Sequence, residues 1–264
     1  MKSSNETTFW ESLRIQKRVL HALLLRELIT RYGRKNIGFL WLFVEPMMVT
    51  LFMVLAWKEM RASQVSSLNI IAFVMTGYPL LMMWRGAVGQ AMSAISANRA
   101  LLYHRNVRVL DNINARVLLE VAGGTIAQVM LLLFLIALKL IEPPADIFYM
   151  MIAWTLMVWF GFALGWALCV LNYHYEVVGK VWRATGLIML GASGTLFFVY
   201  ALHPKIQNIL LWFPMIHGTE MFRHGYFGDS VITLENVFYL VVCNLVLTFA
   251  GLLMVRDLSK RIEL

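Results

Sequence analysis

The residues best suited to chemistry in this sequence lie where charge is costly. Glu45 interrupts an apolar run at 37–57, directly before Pro46, and Arg85 interrupts another at 68–95. Ionisable side chains within such runs are functional candidates by default, because lipid does not solvate them. Glu45 can satisfy the backbone groups that Pro46 frees, or pair with an arginine. Arg85 can snorkel to the surface or face a polar cavity. A second concentration lies at 203–236, where His217, Glu220, Arg223, His224 and Asp229 stand among Trp212, Phe213, Phe222, Tyr226 and Phe227. Rings of this kind serve as belt anchors at a membrane interface, and they also suit the apolar faces of a sugar polymer.

Catalytic signatures are missing. The chain has no G-x-x-x-x-G-K-[ST], no H-E-x-x-H and no G-x-S-x-G. His217 and His224 flank Glu220, but on opposite sides of what reads as a polar surface loop, so no metal site is expected. No nucleophile, base and orienting group can be assembled, and no catalytic residue is assigned. Cys169 and Cys243 lie in apolar runs without metal-ligand spacing and read as buried thiols.

The elements that carry these residues follow from composition. Of 264 residues, 60% are hydrophobic and 14% charged, against a usual ~45–50% and ~25% in soluble chains. Mean hydropathy is +0.69. A soluble protein of this size could not cover so much apolar surface. A membrane helix needs about 20 apolar residues, and runs at 37–57, 68–95, 112–139, 147–172, 181–202 and 234–255 provide six spans. G-x-x-x-G at Gly161 and Gly165 lies in the fourth and can permit close helix packing. No cleavable signal peptide is expected, since the first apolar run begins only near residue 37. The net charge of +8 reflects topology, not nucleic acid. With both termini inside, 17 of the 23 Lys and Arg residues fall in the cytoplasmic pieces.

Outside the spans, residues 8–33 form an amphipathic helix. Thr8 and Glu11 have capping-box spacing, and Trp10, Leu13, Leu20, Leu24 and Leu28 recur at helical intervals opposite a basic side. Such a helix lies along the membrane face, either as an anchor on anionic lipid or as a lever beside a translocation path. The segment 99–110 is short and basic, suited to a lipid-hugging loop or a docking helix. Residues 203–230, broken by Pro214 and Gly218, form a pair of short helices dipping into the membrane, or an interfacial segment.

Three blocks carry a family resemblance. The first is the basic stretch 25–33 followed by I-G-F-L-W-L-F-V-E-P at 37–46. The second is L-Y-H-R-N-V-R at 102–108, running into Asp111 and 115–120. The third is L-L-W-F-P-M-I-H at 210–217, with Glu220 following. Together they resemble the permease subunit of a type 2 ABC exporter, specifically the capsular-polysaccharide exporter permease family (KpsM-like). The chain departs from that pattern at Ile37, where Leu is usual, at Asn106, where Pro is usual, and at Phe213, where Asn is usual.

The resemblance implies an all-α integral membrane protein of six transmembrane helices in the bacterial inner membrane, with both termini cytoplasmic. It implies a homodimer around the polymer path, a separate cytoplasmic ATPase dimer holding ATP and Mg, and a periplasmic co-polymerase or adaptor. No cofactor is expected in this chain. Residues 8–33 become the interface helix, with Arg14, Lys17, Arg18, Arg26, Glu27, Arg31 and Arg34 at the entrance for an anionic lipid-linked glycan. Residues 99–110 become the coupling helix, with Arg99, Leu102, Tyr103, His104, Arg105 and Arg108 meeting the ATPase. Residues 203–230 become outer re-entrant helices. The path or gate takes Trp41, Glu45, Arg85, Trp212, Phe213, His217, Glu220 and Arg223, and Glu220 and Arg223 are expected to matter more for export than for folding. The alternatives are an O-antigen or other surface-polysaccharide permease, and a membrane-embedded enzyme using His217, Glu220, His224 and Asp229 on lipid-linked sugar.

Overall fold

The computed structural model describes residues 9–32, 44, 47–53, 55, 69–97 and 108–262. All regular secondary structure among them is helical. Most of the first expected span, with Trp41 and Glu45, lies outside these residues. So do Arg34 and residues 99–107, which include Arg99, Leu102, Tyr103, His104 and Arg105. Arg31 lies in a described helix, but its side chain does not belong to the described part.

Four helices among the described residues are long and apolar enough to cross a membrane. They are α2 (Ile70–Met92), α4 (Val109–Ala137), α5 (Ile147–His174) and α10 (Val237–Ile262). Each starts or stops for a local reason. The Asn69 side chain accepts from the N–H of Ile71 and Ala72 and opens α2, satisfying donors that a helix start leaves orphaned. Asp146 does the same for α5, accepting from Tyr149 N at 2.9 Å. The expected span 68–95 ends early, at Met92, and the short α3 (Ala94–Ala97) follows Ser93. Asn172 Nδ2 donates to Met92 O at 3.0 Å and Arg116 Nη1 to Ser93 O at 3.0 Å, so the released carbonyls are satisfied by side chains from α5 and α4.

Helix α2 is the centre of the bundle and packs on α4, α5 and the outer helix α9 (Pro214–Phe227). The G-x-x-x-G pair does what its spacing allows. A Cβ at Gly161 would stand 3.3 Å from Ala87 Cβ, and one at Gly165 would stand 2.9 Å from Ala91 Cβ, so α5 meets α2 at nearly backbone distance. Helix α10 is pinned to α5 by Trp159 Nε1 to Thr248 Oγ1 at 2.8 Å and Asn244 Nδ2 to Leu156 O at 3.0 Å.

Helix α1 (Phe9–Tyr32) lies against α4. Leu24 and Leu28 pack on Leu119, and Leu23 is buried. Arg14, Lys17, Arg18 and Arg26 are exposed, together with Trp10, Ile15, Leu25 and Ile29. That mixture of cations and bare apolar side chains suits a helix in a membrane interface.

The stretch 181–202 is not one helix, in contrast to the continuous span expected from its composition. It is divided into α6 (Val177–Ala184), α7 (Gly186–Ala192) and a non-helical segment from Ser193 to Phe198. The helices part at Thr185, and the chain leaves α7 through Ser193 and through Gly194 at φ +72°, a left-handed conformation that suits glycine. The pair of short helices expected after it is present. The first, α8 (Pro204–Leu210), and α9 each carry proline in the first turn, where a missing N–H costs nothing. At about 21 Å, α9 is too short to cross a ~30 Å hydrocarbon core.

Candidate functional site

Three arginines placed within or beside the apolar bundle have different surroundings. The Arg223 side chain is fully buried. Its Nη1 donates to Gly194 O at 2.6 Å and Phe197 O at 2.7 Å, and Nη2 donates to Thr195 O at 2.7 Å. The guanidinium lies over the rings of Phe73 at 4.1 Å and Phe198 at 4.8 Å, a desolvated cation–π sandwich. Glu220, one turn back on α9, is 4.0 Å away and equally buried. Its carboxylate accepts from Val199 N at 3.5 Å and Leu234 N at 3.3 Å. Arg223 is thus the rivet that satisfies the carbonyls of the broken 193–198 segment, and Gly77 on α2 leaves it room. Burial pushes the Glu220 carboxyl up, while Arg223 and the two backbone donors oppose that shift.

His217 is engaged in the same way. Asn236 N donates to its Nδ1 at 3.0 Å, so its Nε2 carries the proton and donates to Leu211 O at 2.9 Å. The ring ties the α8–α9 turn to the start of α10. Burial holds it below the ordinary imidazole range. These placements correct the reading of 203–236 as a polar surface loop. His217, Glu220 and Arg223 project from one helix into the protein's interior, and neither Glu220 nor Arg223 reaches any surface a polymer could touch. The bonds of Glu220 and Arg223 hold backbone together, which gives both a structural role beside the one expected in export. Trp212 and Phe213 do face outward, at 76% and 39% exposure. His224 is half-exposed and bonds Glu235 Oε1 at 2.5 Å, with Tyr149 OH donating to the same oxygen at 3.3 Å. Asp229 is exposed and stands apart from this group. Among the described residues no group of three His, Cys, Asp or Glu side chains is placed to hold a metal.

Arg116 is the second arginine. Its Nε lies 3.0 Å from Glu27 Oε1, and its Nη2 donates to Gln90 Oε1 at 3.1 Å. Glu27, expected at a substrate entrance, is therefore buried and locks α1 to α4. Gln16 Nε2 adds a bond to Asp111 Oδ1 at 3.2 Å. Arg108 is exposed at the start of α4.

Arg85 is the third. It opens onto a cavity of about 550 Å³ between α2, α4, α6 and residues 47–50. Its Nη2 donates to Trp182 O at 3.2 Å and its guanidinium lies 5.9 Å from the Trp182 ring. Gln90, Glu120, Gln128 and Arg183 share the lining. This fulfils the cavity alternative for Arg85. The other lining residues carried no sequence signal beyond the interruption of an apolar span by Glu120 and the small glycines at 86, 89 and 124.

Comparison with known proteins agrees with the membrane bundle. The family model described as ABC-2 type transporter matches residues 18–227. The capsule polysaccharide export inner-membrane protein CtrC of Neisseria meningitidis serogroup B is 57% identical over 263 residues, covering 100% of this chain and 99% of that protein. The capsule polysaccharide export inner-membrane protein BexB of Haemophilus influenzae is 56% identical with the same coverage. The polysialic acid transport protein KpsM of Escherichia coli is 24% identical over 246 residues, 92% of this chain and 94% of that protein. With a model match across most of its length and full-length relatives at this identity, the chain belongs to the ABC-2 type transporter family, beside the capsule polysaccharide export inner-membrane proteins.

Proposed function

We propose that this chain is the membrane-spanning permease of an ATP-driven exporter that carries lipid-linked capsular polysaccharide across the inner membrane. The observation that carries this reading is the 57% identity, end to end, with a capsule polysaccharide export inner-membrane protein. The helical bundle supports it: a polymer path needs spans held rigidly by side-chain ties, and the arginine and tryptophan bonds provide them.

In this reading the permease is a homodimer, with six spans per protomer and both termini cytoplasmic. ATP and Mg reside in a separate ATPase dimer, and a periplasmic co-polymerase or adaptor meets the outer face. ATP binding moves the coupling segment at 99–110. Because α4 begins at Val109, a push there is passed directly along a span of 29 residues. The Glu27–Arg116 pair carries the same push to α1, so the interface helix and the coupling segment move as one body. The exposed Arg14, Lys17, Arg18 and Arg26 attract an anionic glycan to the entrance. Trp212 and Phe213 offer ring faces at the outer end, where weak repeated contacts let a polymer slide.

The test is deletion of the gene followed by labelling of surface polysaccharide. Loss from the surface with accumulation inside the cell is the expected result, and normal surface display sinks the proposal. The enzyme alternative lacks support from the geometry, since His217 and Glu220 are committed to backbone partners and Asp229 stands apart.

A further inference from the structure

The Arg85 cavity is a slot with two chemically different ends. Gly86 lies against Glu120, Gly124 against Met83, and Gln128 bonds Met75 O, so α2 and α4 run antiparallel along it. Its lining on α2 extends from Tyr78 to Gln90, about 18 Å of helix rise. One end is mostly apolar, with Met47, Met82, Met83, Ala127 and Leu131 beside Thr50, Tyr78 and Gln128. The other holds Arg85, Gln90, Glu120, Trp182 and Arg183. Among the described residues, two guanidiniums face one carboxylate at this end. It also sits near a membrane surface, since about 10 Å of helix rise separates Arg85 from Met92.

The polar end is underused by the protein itself. Arg85 Nε is buried and has no hydrogen-bond partner among the described residues. Its Nη2 bond to Trp182 O, at 3.2 Å, is at the long end of the ~2.7–3.2 Å range for a carbonyl acceptor. A half-buried cation with a buried, unpartnered Nε, beside an apolar groove, matches the chemistry of a lipid: a phosphate next to an alkyl chain.

We infer that this slot binds a phosphate-bearing anionic lipid, with the phosphate on Arg85 and Arg183 and an acyl chain along the Met82, Met83 and Leu131 end. The phosphate can come from the lipid anchor of the cargo or from a membrane phospholipid. The first source deepens the export reading and rests on it, whereas the second does not. Gly186 is part of the site, because a Cβ there would stand 2.6 Å from Arg85 Nη2 and would push the guanidinium off its position.

The experiment titrates the purified permease–ATPase complex, in neutral detergent, with fluorescent phosphatidylglycerol and with phosphatidylcholine bearing the same fluorophore. Wild type is expected to prefer phosphatidylglycerol. Arg85→Gln and Gly186→Ala should bind it about tenfold more weakly, the scale of one lost charge-assisted contact, and Arg85→Lys should keep most of the affinity. Equal binding of the two lipids, or full phosphatidylglycerol affinity in folded Arg85→Gln or Gly186→Ala, overturns the inference. Melting curves identify the folded variants, and Arg85→Lys with Gly186→Ala decides the matter if Arg85→Gln does not fold. Competition with extracted lipid-linked glycan then separates the sources: displacement assigns the slot to the cargo anchor, and persistence assigns it to membrane lipid. Both outcomes uphold the site. Normal surface polysaccharide in cells lacking the chain would sink the export reading and leave the lipid result standing.

Discussion

Arg223 and Arg85 face the same physical problem and solve it differently. Both stand in an apolar bundle where a bare guanidinium is costly. Arg223 spends its donors on three backbone carbonyls and lies between two aromatic rings, with Glu220 beside it. Arg85 makes one long bond to a carbonyl and faces a cavity. An ionisable residue in a span is thus not one class of object. Where the guanidinium is committed to backbone carbonyls and packed between rings, the residue is structural. Where donors are left over next to open space, a ligand is the natural partner.

Replacement separates the two most sharply. Arg223→Met orphans the carbonyls of Gly194, Thr195 and Phe197 and leaves Glu220 buried without its counter-charge. Breaking a buried ion pair from one side costs about 3–5 kcal/mol, a large share of a typical ~5–15 kcal/mol total. The expected outcome is little folded protein in membranes, read by the monodisperse fraction after detergent extraction. Arg85→Met removes one carbonyl bond, worth about 1 kcal/mol, and should accumulate normally while losing export. If Arg85→Met is the one that fails to fold, the contrast collapses.

Arg116 lies between the extremes, because it is buried but joins two elements that are proposed to move. Glu27→Ala leaves the Arg116 bonds to Ser93 O and Gln90 in place and removes the ion pair to α1. A cost of about 1–3 kcal/mol is expected, concentrated in α1. Limited proteolysis should therefore cut near residues 9–32 sooner than in wild type, with the bundle still resistant. Equal cutting rates would mean that Leu23, Leu24 and Leu28, with the Gln16–Asp111 bond, hold α1 without the ion pair.

Much of this was legible in the sequence, for a reason specific to lipid. A solvent that rejects unsatisfied backbone demands long apolar helices, so α2, α4, α5 and α10 are written as long apolar runs. The close approach at Gly161 and Gly165 had a weaker trace, since small residues four apart permit such packing but are common in membrane helices. The division of 181–202 was not, because composition reports that a stretch is apolar and not where its hydrogen bonds stop. That break depends on Arg223, thirty residues further on. The burial of His217, Glu220 and Arg223 had a signal that went unused. Pro214 and Gly228 bracket a helix, and polar residues at 217, 220 and 223 or 224 then form one stripe that must face something polar. The Glu27–Arg116 pair leaves no local trace at all, since its partners come from different elements.

The smallest effect tests whether His217 stands with Arg223 as a structural group. Its Nδ1 must be unprotonated to accept from Asn236 N, and burial already holds its proton affinity below the ordinary value near 6.5. The unfolded chain therefore takes up a proton at that position before the folded chain does. Stability from this ring is complete above about pH 6.5 and declines as pH falls from there toward the depressed folded value. Glu235 nearby favours the charged ring and softens the decline without reversing it. The melting temperature of wild type should therefore drop between pH 7.5 and pH 5.5 by more than that of His217→Gln, which has no ring to titrate. The half-exposed His224–Glu235 pair is common to both proteins and cancels in the difference. An identical drop in the two would show that the outer segment does not need the Leu211–His217–Asn236 bridge, and would leave Arg223 as the group that holds this end of the bundle.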